Sequence, residues 1–498
     1  MLKKAFLLVI SVLLNFVFLY GCNKSTNDLT PSSGTATTST TTTTSSTYND
    51  LWIPPTITGK TFDLTLAKSS KQLRTGAKTA TYGYNGTEFW GPTLIMNKGD
   101  FVQMNVTNNL SETTTTHWHG FHIPAIMDGG PHQMIEPNTT WKPSFEIKNN
   151  AGTYWYHPHL HEKTFQQLTY GAGGLIIIKD PIESALALPR TYGTDDIPLV
   201  LTSRRYNSDN SFTTTEHAYG DYAMSNGTHN AQISLPKQFV RFRILNAETE
   251  RAYNLGFSDN RSFYVITNDG GLLDAPVEVT RVKLAVGERA EILVDLSKDA
   301  VSTSLDMKAY NANQEFGFGG SEPQTNGQFG SLLNNKDFTV LHINVKAATV
   351  NAITSLPAKL TTNIYWKESD ATSTRTIRIT GGQAGSAFTF DNNTYGFTTI
   401  NQTVKLNAVE KWTIVNNNIF GHSFHIHDIQ FKIVSRSSGA IANYESGWKD
   451  TFYIRTGETV SVVAKYDDFA SSTNPFMYHC HFPNHEDAGL MGQFLVTQ

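Results

Sequence analysis

The chain has 498 residues, with 39 Lys plus Arg against 43 Asp plus Glu and a formal net charge of -4. Because domains commonly hold about 100–200 residues, this length predicts roughly three domains. The basic residues are spread along the chain, which argues against a nucleic-acid-binding face, and the abundance of Gly, Thr, Asn, Tyr and Phe is typical of β-rich globular proteins.

The first residues are typical of a targeting segment, since two lysines precede an apolar stretch that ends at Cys22. The sequence Leu-Tyr-Gly-Cys at this point resembles the lipobox of bacterial lipoproteins. We therefore predict that residues 1–22 are a lipoprotein signal peptide ending in a lipidated Cys22. The protein would be lipid-anchored in the bacterial cell envelope, either periplasmic or on the outer surface. The alternative is an uncleaved anchor with an incidental cysteine, which would need about 20 apolar residues.

Downstream of Cys22, composition divides the chain into a linker and three bodies. Residues 23–49 are rich in Thr and Ser and cannot bury a core, so we predict a flexible linker. After it, short runs rich in Val, Ile, Thr, Tyr and Phe recur between Gly, Asn, Asp and Pro, which predicts strands of β-sandwiches. Composition changes near positions 181 and 347 give bodies at residues 50–181, 182–347 and 348–498. The middle body lacks dense histidine motifs and is expected to have a structural role.

Ten of the sixteen histidines fall in four compact clusters. These are His117-Trp118-His119, His157-Pro158-His159, His422-Ser423-Phe424-His425-Ile426-His427, and His479-Cys480-His481 followed by His485. Residues i and i+2 of a strand project to the same face, so each His-x-His pair directs two imidazoles to one point. Four such pairs would supply eight nitrogens, which suits three ions rather than one. Imidazole is a ligand for copper, zinc, iron or nickel.

Cys480 lies between two histidines that strand alternation places on the opposite face. With His422 and His485, the histidines left after pairing, it forms the ligand set of blue-copper electron-transfer centres. One short strand would then contact two metal sites, and an electron arriving at Cys480 could leave through the backbone into His479 or His481. The other cysteine is the predicted lipidation site, so no disulfide partner remains, which also favours metal ligation.

In order and spacing, these clusters resemble the four copper-binding motifs of the multicopper oxidases, the family of laccases, bilirubin oxidases and bacterial copper-efflux oxidases. Phrases such as Gly287-Glu288-Arg289-Ala290 and Gly447-Trp448-Lys449-Asp450 are similar to those of the three-domain bacterial members. The resemblance covers nearly all of residues 50–498. It implies an all-β fold of three cupredoxin-like Greek-key β-sandwich domains.

The resemblance also implies four copper ions, of which one is type 1, one is type 2 and two are type 3. The implied type 1 ligands are His422, Cys480 and His485, and the implied type 2 ligands are His117 and His425. The implied ligands of the type 3 pair are His119, His157, His159, His427, His479 and His481. Donor electrons would enter at the type 1 copper, and dioxygen would be reduced to water at the cluster of three.

Ten residues beyond Cys480, where similar bacterial members place an axial Met, this chain has Leu490. Loss of the weak thioether ligand should raise the reduction potential of the type 1 copper. The alternative is a shifted loop that admits Met491, which on an extended segment would point away.

Two carboxylates, Asp128 and Glu486, match acids that relatives use to deliver protons at the cluster. The alternative for each is a carboxylate that only hydrogen-bonds a ligand imidazole. The remaining histidines have no matching ligand role and are interpreted as ordinary surface or core residues, although His161 continues the face of His157 and His159. They are His122, His132, His161, His217, His229 and His342.

The leading hypothesis is a laccase-like, copper-dependent oxidoreductase that oxidises phenols, aromatic amines or similar small-molecule donors with dioxygen as acceptor. The alternative is a cuprous-ion oxidase for copper detoxification. Relatives specialised in that way often carry a methionine-rich segment, whereas this chain has 9 scattered Met. A scaffold without activity is disfavoured because every expected ligand is present.

Overall fold

The computed structural model describes residues 48–214, 219–327, 329–382 and 386–498, and strands dominate it. The predicted signal peptide with Cys22, residues 23–47 of the predicted linker, and His217 lie outside the described residues. The strands form six sheets, two in each third of the described chain. The all-β prediction is therefore confirmed.

The first part of the chain contains two sheets, with strand orders β2-β5-β11-β10-β7 and β4-β3-β6-β8, and β9 pairs with β6. The strand bounds are β1 (Asn49–Asp50), β2 (Thr56–Thr58), β3 (Thr61–Lys71), β4 (Thr79–Tyr84), β5 (Thr93–Asn97), β6 (Phe101–Asn109), β7 (His117–His119), β8 (Thr140–Trp141), β9 (Ser144–Glu146), β10 (Gly152–His157) and β11 (Gly174–Lys179). Burial alternates along β6, where Val102, Met104 and Val106 face the core and the intervening polar residues face outward.

The middle part has sheets ordered β14-β13-β12-β16-β21-β18-β19 and β1-β15-β23-β22-β17-β20. Its strands are β12 (Asp196–Arg204), β13 (Tyr222–Ser225), β14 (Thr228–His229), β15 (Ala231–Pro236), β16 (Phe239–Asn246), β17 (Tyr253–Phe257), β18 (Phe263–Asn268), β19 (Gly271–Val279), β20 (Val282–Leu284), β21 (Arg289–Asp295), β22 (Ser304–Tyr310) and β23 (Asp337–Lys346). Apolar side chains from both sheets, such as Phe242 and Ile343, share one buried cluster, so the two sheets pack face to face.

The third part has sheets ordered β25-β24-β27-β31-β29 and β26-β33-β32-β28-β30. Its strands are β24 (Ser373–Gly381), β25 (Phe388–Phe390), β26 (Gln402–Lys405), β27 (Val409–Asn416), β28 (His422–Ile426), β29 (Lys432–Arg436), β30 (Thr451–Ile454), β31 (Thr459–Lys465), β32 (Phe476–Cys480) and β33 (Met491–Thr497). Trp412 and Phe494 come from opposite sheets and belong to the same core.

Helices among the described residues are short. They are α1 (Thr164–Thr169), α2 (Pro181–Ser184) and α3 (Pro483–Asp487), with 3-10 turns at Ala125–Met127, Glu368–Asp370 and Asn443–Glu445. The start of α1 contacts the end of α3, because the backbone N–H groups of Thr164 and Phe165 donate to the carboxylate of Asp487 at 3.0 and 2.8 Å. The first and third parts of the chain therefore meet at these helices. None of the described helices combines the length and apolar character required to cross a bilayer.

Candidate metal centres

The first histidine cluster is built by the pairing of β7 with β10. His117 lies directly opposite His157, and His119 lies opposite Trp155. Directly paired residues of an antiparallel sheet share a face, so these four rings lie on one side of the sheet. Trp118, between the two histidines, points to the other side and is buried in the core. Strand alternation thus places three imidazoles on the surface that faces the third part of the chain.

The second histidine cluster is built by the pairing of β28 with β32. His425 lies opposite His479, and Phe424 lies opposite Cys480. Because side chains alternate along a strand, His422 shares the face of Phe424 and Cys480, whereas His425 shares the face of His479. The single strand β32 therefore presents Cys480 to one site and its neighbouring histidines to another.

Cys480, His422 and His485 come together as a separate group of three buried metal-ligating side chains. The Cys480 sulfur lies 3.5 Å from Nδ1 of His422 and 3.7 Å from Nδ1 of His485. Burial raises the pKa of the Cys480 thiol to about 12 and lowers the pKa of His422 to about 3. A buried thiolate would therefore need a cation beside it, while the imidazole nitrogens offer lone pairs, so the group fits a metal ion.

Leu490 lies on the same side of the sheet as Cys480. The Cys480 N–H donates to the carbonyl of Leu490 at 3.1 Å, and the Leu490 side chain is buried in the cluster that contains Cys480. Met491 lies opposite His479 in the β32–β33 pairing, so its side chain points to the other face. This register directs Met491 to the face of His479, while Leu490 shares the buried cluster that contains Cys480.

Eight imidazoles form the larger cluster, and their inner nitrogens point at one another. Nε2 of His479 lies 3.1 Å from Nε2 of His159 and 3.2 Å from Nε2 of His427. Nε2 of His481 lies 3.1 Å from Nδ1 of His119. The remaining members contribute buried Nε2 atoms without a hydrogen-bond partner among the described residues; they are His117, His157 and His425.

Burial is the largest cause of a lowered pKa at eight histidines of the two groups. They are His119, His157, His159, His422, His425, His427, His479 and His481. The imidazoles are therefore neutral, and converging unprotonated nitrogens at these distances repel unless cations lie between them. The donor set fits metal ions that accept imidazole ligands, copper included.

The outer nitrogens of four cluster imidazoles are held by backbone carbonyls. Nδ1–H groups donate to carbonyl oxygens in four pairs: His117 to Asp128 at 2.9 Å, His157 to Pro158 at 2.8 Å, His425 to Asp450 at 2.8 Å and His479 to Cys480 at 3.0 Å. Each bond fixes the tautomer so that Nε2 is free for a metal. Backbone carbonyls that surround the cluster therefore fix the orientation of these four imidazoles.

Asp128 contacts two cluster histidines from one position. Besides its carbonyl bond to His117, its Oδ2 accepts from Nδ1 of His427 at 2.7 Å. The following Gly129 has φ +80, and a Cβ there would lie 1.8 Å from the carbonyl oxygen of Thr116. Only glycine fits at position 129, which explains the Gly that follows Asp128. The structure thus places Asp128 where an imidazole-orienting carboxylate is expected.

Glu486 lies between two other cluster histidines. Its Oε1 is 3.1 Å from Nδ1 of His159, and its Oε2 is 3.4 Å from Nδ1 of His479. Thr164 donates its hydroxyl to Oε1 at 2.8 Å. Burial, followed by the charge of Asp487, raises the pKa of Glu486 well above its usual range. Glu486 is therefore a buried carboxyl group in direct contact with the cluster.

Asp450, to which no role was assigned from the sequence, lies at the cluster in the structure. Its Oδ1 accepts from Nε2 of His119 at 3.1 Å, while its carbonyl accepts from His425. The guanidinium of Arg289 donates to both carboxylate oxygens of Asp450, at 2.7 and 2.6 Å. Both residues lie in phrases quoted above for the family resemblance. Those motifs were the signal available in the sequence. Nothing in them indicated that Arg289 and Asp450 contact each other in the folded chain.

Five further histidines have other partners. His122 contacts Asp428 and Asp468, His132 contacts Gln493, His161 packs against Tyr395, His229 contacts Tyr206, and His342 contacts Asp306.

The fold and the two groups of buried side chains are typical of a copper protein. One strand connects the site of Cys480, His422 and His485 to a cluster of eight imidazoles. Residues 65–183 and 368–498 match two sequence models described as multicopper oxidase. The multicopper oxidase mco of Staphylococcus aureus is 32% identical over 447 residues, which are 88% of this chain and 89% of the relative. The chain therefore belongs to the multicopper oxidase family, and it is a copper-dependent oxidoreductase.

Solved structures agree with this family and with the predicted three cupredoxin-like domains. A laccase-like multicopper oxidase, CueO of Ochrobactrum sp., with oxidase activity towards lignin model compounds and lignosulfonate, has a TM-score of 0.81 at 30% identity, covering 90% of this chain and 100% of that one. A multicopper oxidase of Campylobacter jejuni, described as a metallo-oxidase, has a TM-score of 0.76 at 25% identity, covering 91% and 96%. The cell division protein FtsP of Shigella dysenteriae is also similar, with 30% identity over 456 residues, 89% of this chain and 92% of the relative.

Proposed function

We propose that this protein is a laccase-like oxidase that couples one-electron oxidation of phenols, aromatic amines or similar donors to the reduction of dioxygen to water. His422, Cys480 and His485 would hold the type 1 copper, and His117 and His425 the type 2 copper. The type 3 pair would be held by the remaining cluster members, which are His119, His157, His159, His427, His479 and His481. Four bound copper ions would supply the one-electron redox chemistry.

One observation carries this proposal: Cys480 and its two sequence neighbours face different sites. The sulfur of Cys480 lies 3.5 Å from His422, while Nε2 of His479 lies 3.1 Å from Nε2 of His159. A covalent path through the backbone of β32 therefore connects the two sites. Storage of copper or a scaffold role would not require such a connection.

His485 is the side chain through which we propose that donor electrons enter. It is 5% exposed, whereas His422 and Cys480 are 0% exposed. His485 lines a cleft together with Phe388 and Phe482. A donor docked over the mouth of this cleft would lie near the imidazole edge without displacing a ligand.

Asp128 and Glu486 are proposed to deliver protons to oxygen at the cluster. Asp128 hydrogen-bonds His427, and Glu486 lies beside His159 and His479. The same contacts orient the ligands, so each carboxylate would both hold an imidazole and supply protons.

A second candidate is a cuprous-ion oxidase, which the similarity to the metallo-oxidase of Campylobacter jejuni favours. Cuprous ion prefers thioether and thiolate ligands, and the described residues that line the cleft at His485 include neither Met nor Cys. The two candidates are separated on copper-loaded protein by an oxygen electrode, with 2,6-dimethoxyphenol and a cuprous complex as donors. Faster oxygen uptake with the phenol is expected, and uptake with cuprous ion alone would contradict the laccase-like proposal.

We also propose that the protein is held in the bacterial cell envelope by a lipid on Cys22. Mass spectrometry of the mature N-terminus should find a diacylglyceryl cysteine. An unmodified N-terminus would exclude this anchor.

A further inference from the structure

Two tryptophans lie outside the hydrophobic cores of the protein. Six of the eight Trp residues belong to a buried apolar cluster or pack against one; they are Trp52, Trp90, Trp118, Trp141, Trp155 and Trp412. In the part of the chain that the structure describes, Trp366 and Trp448 do neither. Both line one cleft of about 170 Å³ between the first and third parts of the chain. Because leaving large apolar rings in contact with water costs free energy, their place in a cleft wall indicates a binding site.

A second cleft, of about 280 Å³, meets the first one. Trp448 and Asn150 line both clefts, and the second extends along Thr362 and Ile364. The Ile364 side chain is 86% exposed, so this end is open to solvent. Together the two clefts fall within the ~300–1,000 Å³ that is usual for small-molecule sites. They therefore have room for a ligand made of more than one ring.

Polar atoms without a protein partner lie beside the tryptophan rings. The Oδ1 of Asn150 accepts from Lys98 at 2.7 Å, which leaves its Nδ2 for a ligand. The Nε2 of Gln430 donates to a backbone carbonyl at 2.6 Å, which leaves its Oε1. The indole N–H groups of Trp366 and Trp448 donate to no other described residue. The lining thus offers both donors and acceptors next to flat apolar surfaces.

The charged side chains of the first cleft are paired with carboxylates. The pairs are Lys148 with Asp468 at 2.8 Å, Lys465 with Asp467 at 3.2 Å and His122 with Asp428 at 2.8 Å. In the second cleft, the two oxygens of Asp180 accept from backbone N–H groups at 2.7 and 3.0 Å. An ionic ligand would have to compete with these contacts, so the lining favours an uncharged ligand.

We propose that the joined clefts bind a neutral oligosaccharide chain. Trp366 and Trp448 would stack against sugar rings, and Asn150 and Gln430 would hydrogen-bond sugar hydroxyls. Sugar rings have apolar C–H faces and hydroxyl edges, which match indole rings beside free donors and acceptors. A purely apolar ligand would instead leave those donors and acceptors unpaired, which costs free energy. This binding does not require oxidase activity and is measured without turnover.

The test measures binding to the copper-loaded protein by isothermal titration calorimetry. The probes are cellohexaose, xylohexaose and maltohexaose, and a polyproline decapeptide represents a protein partner that would use an aromatic-lined groove. At least one hexasaccharide should bind, and its disaccharide should bind about tenfold more weakly, because only the longer chain reaches both clefts. Lack of binding by all three hexasaccharides would overturn the proposal. Binding of the polyproline peptide alone, or equal affinity for the disaccharide, would also overturn it.

Three variants locate the binding in the clefts. Trp366→Ala should weaken binding of the hexasaccharide about tenfold through loss of the stacking surface. Trp366→Phe keeps an aromatic ring and should retain most of the affinity. The matched control is Phe101→Ala, which removes a 63% exposed aromatic ring outside both clefts and should leave the affinity unchanged. Wild-type affinity in Trp366→Ala, or an equal loss in Phe101→Ala, contradicts the inference.

Hydroxyl-radical footprinting of the wild-type protein gives a result even if Trp366→Ala fails to fold. Saturation with the bound hexasaccharide should protect Trp366 and Trp448 from oxidation, as measured by mass spectrometry, and should leave Phe101 unprotected. Unchanged oxidation of both tryptophans in the saturated complex would place the ligand elsewhere and refute the assignment.

Discussion

The substitution Asp450→Asn tests the prediction that a buried ion pair supports the metal cluster. Asp450 and Arg289 are 0% and 1% exposed, and they share two hydrogen bonds of 2.7 and 2.6 Å. Removing one partner of such a pair costs about 3–5 kcal/mol, because the other charge stays buried. Asp269 lies 3.5 Å from the same guanidinium and compensates part of its charge. We therefore expect a loss of about 3 kcal/mol in the free energy of unfolding.

The measurement is urea unfolding of the copper-free protein, followed by tryptophan fluorescence, so that metal loss does not contribute. The matched control is Glu368→Gln, which breaks a 2.7 Å ion pair with Lys411; the Glu368 side chain is 58% exposed and the Lys411 side chain is 23% exposed. This exposed pair should contribute at most about 1 kcal/mol. Equal destabilisation by the two variants would refute the assignment. In copper-loaded protein, His119 would also lose its charged acceptor, and copper affinity at the cluster should fall about 10–100-fold.

Three further predictions concern the copper ligands and the acids beside them. Cys480→Ser should abolish both the intense blue absorption and the oxygen uptake. Most of the cluster copper, measured by atomic emission, should be retained. If either the blue absorption or the oxygen uptake survived, the ligand assignment would be contradicted. Leu490→Met should lower the type 1 reduction potential in a redox titration, and about 60 mV would correspond to a tenfold change for one electron. Met491→Leu is its control and should leave that potential unchanged. Asp128→Asn and Glu486→Gln should keep the blue absorption but slow steady-state oxygen uptake by about 100-fold, and wild-type rates in both would end the proton-delivery proposal.

The sequence was sufficient for the fold class and for selecting the candidate metal-ligating residues that the structure brings together. Alternating apolar residues, as in β6, predict strands because side chains of a strand point to opposite faces in turn. The same rule places Cys480 on one face and its histidine neighbours on the other, and the register with Phe424 and His425 agrees. These predictions depend on residues joined by a few covalent bonds, whose relative directions the backbone geometry fixes.

Contacts between distant segments were beyond the reach of the sequence. Asp450 lies 331 positions from His119 along the chain, yet it accepts that imidazole's hydrogen bond. The motif that contains Asp450 resembles the family, but nothing in that motif predicts this contact, so Asp450 was assigned no role from the sequence.

The sequence by itself therefore determined which side chains are candidate metal ligands and to which face of a strand each one points, because that direction is local. The tertiary structure decided which faces meet, which carboxylates support the imidazoles, and which side chains line the cleft at His485. Those features depend on how sheets and loops pack over long chain separations. Packing is set by the sum of many weak contacts rather than by any short motif.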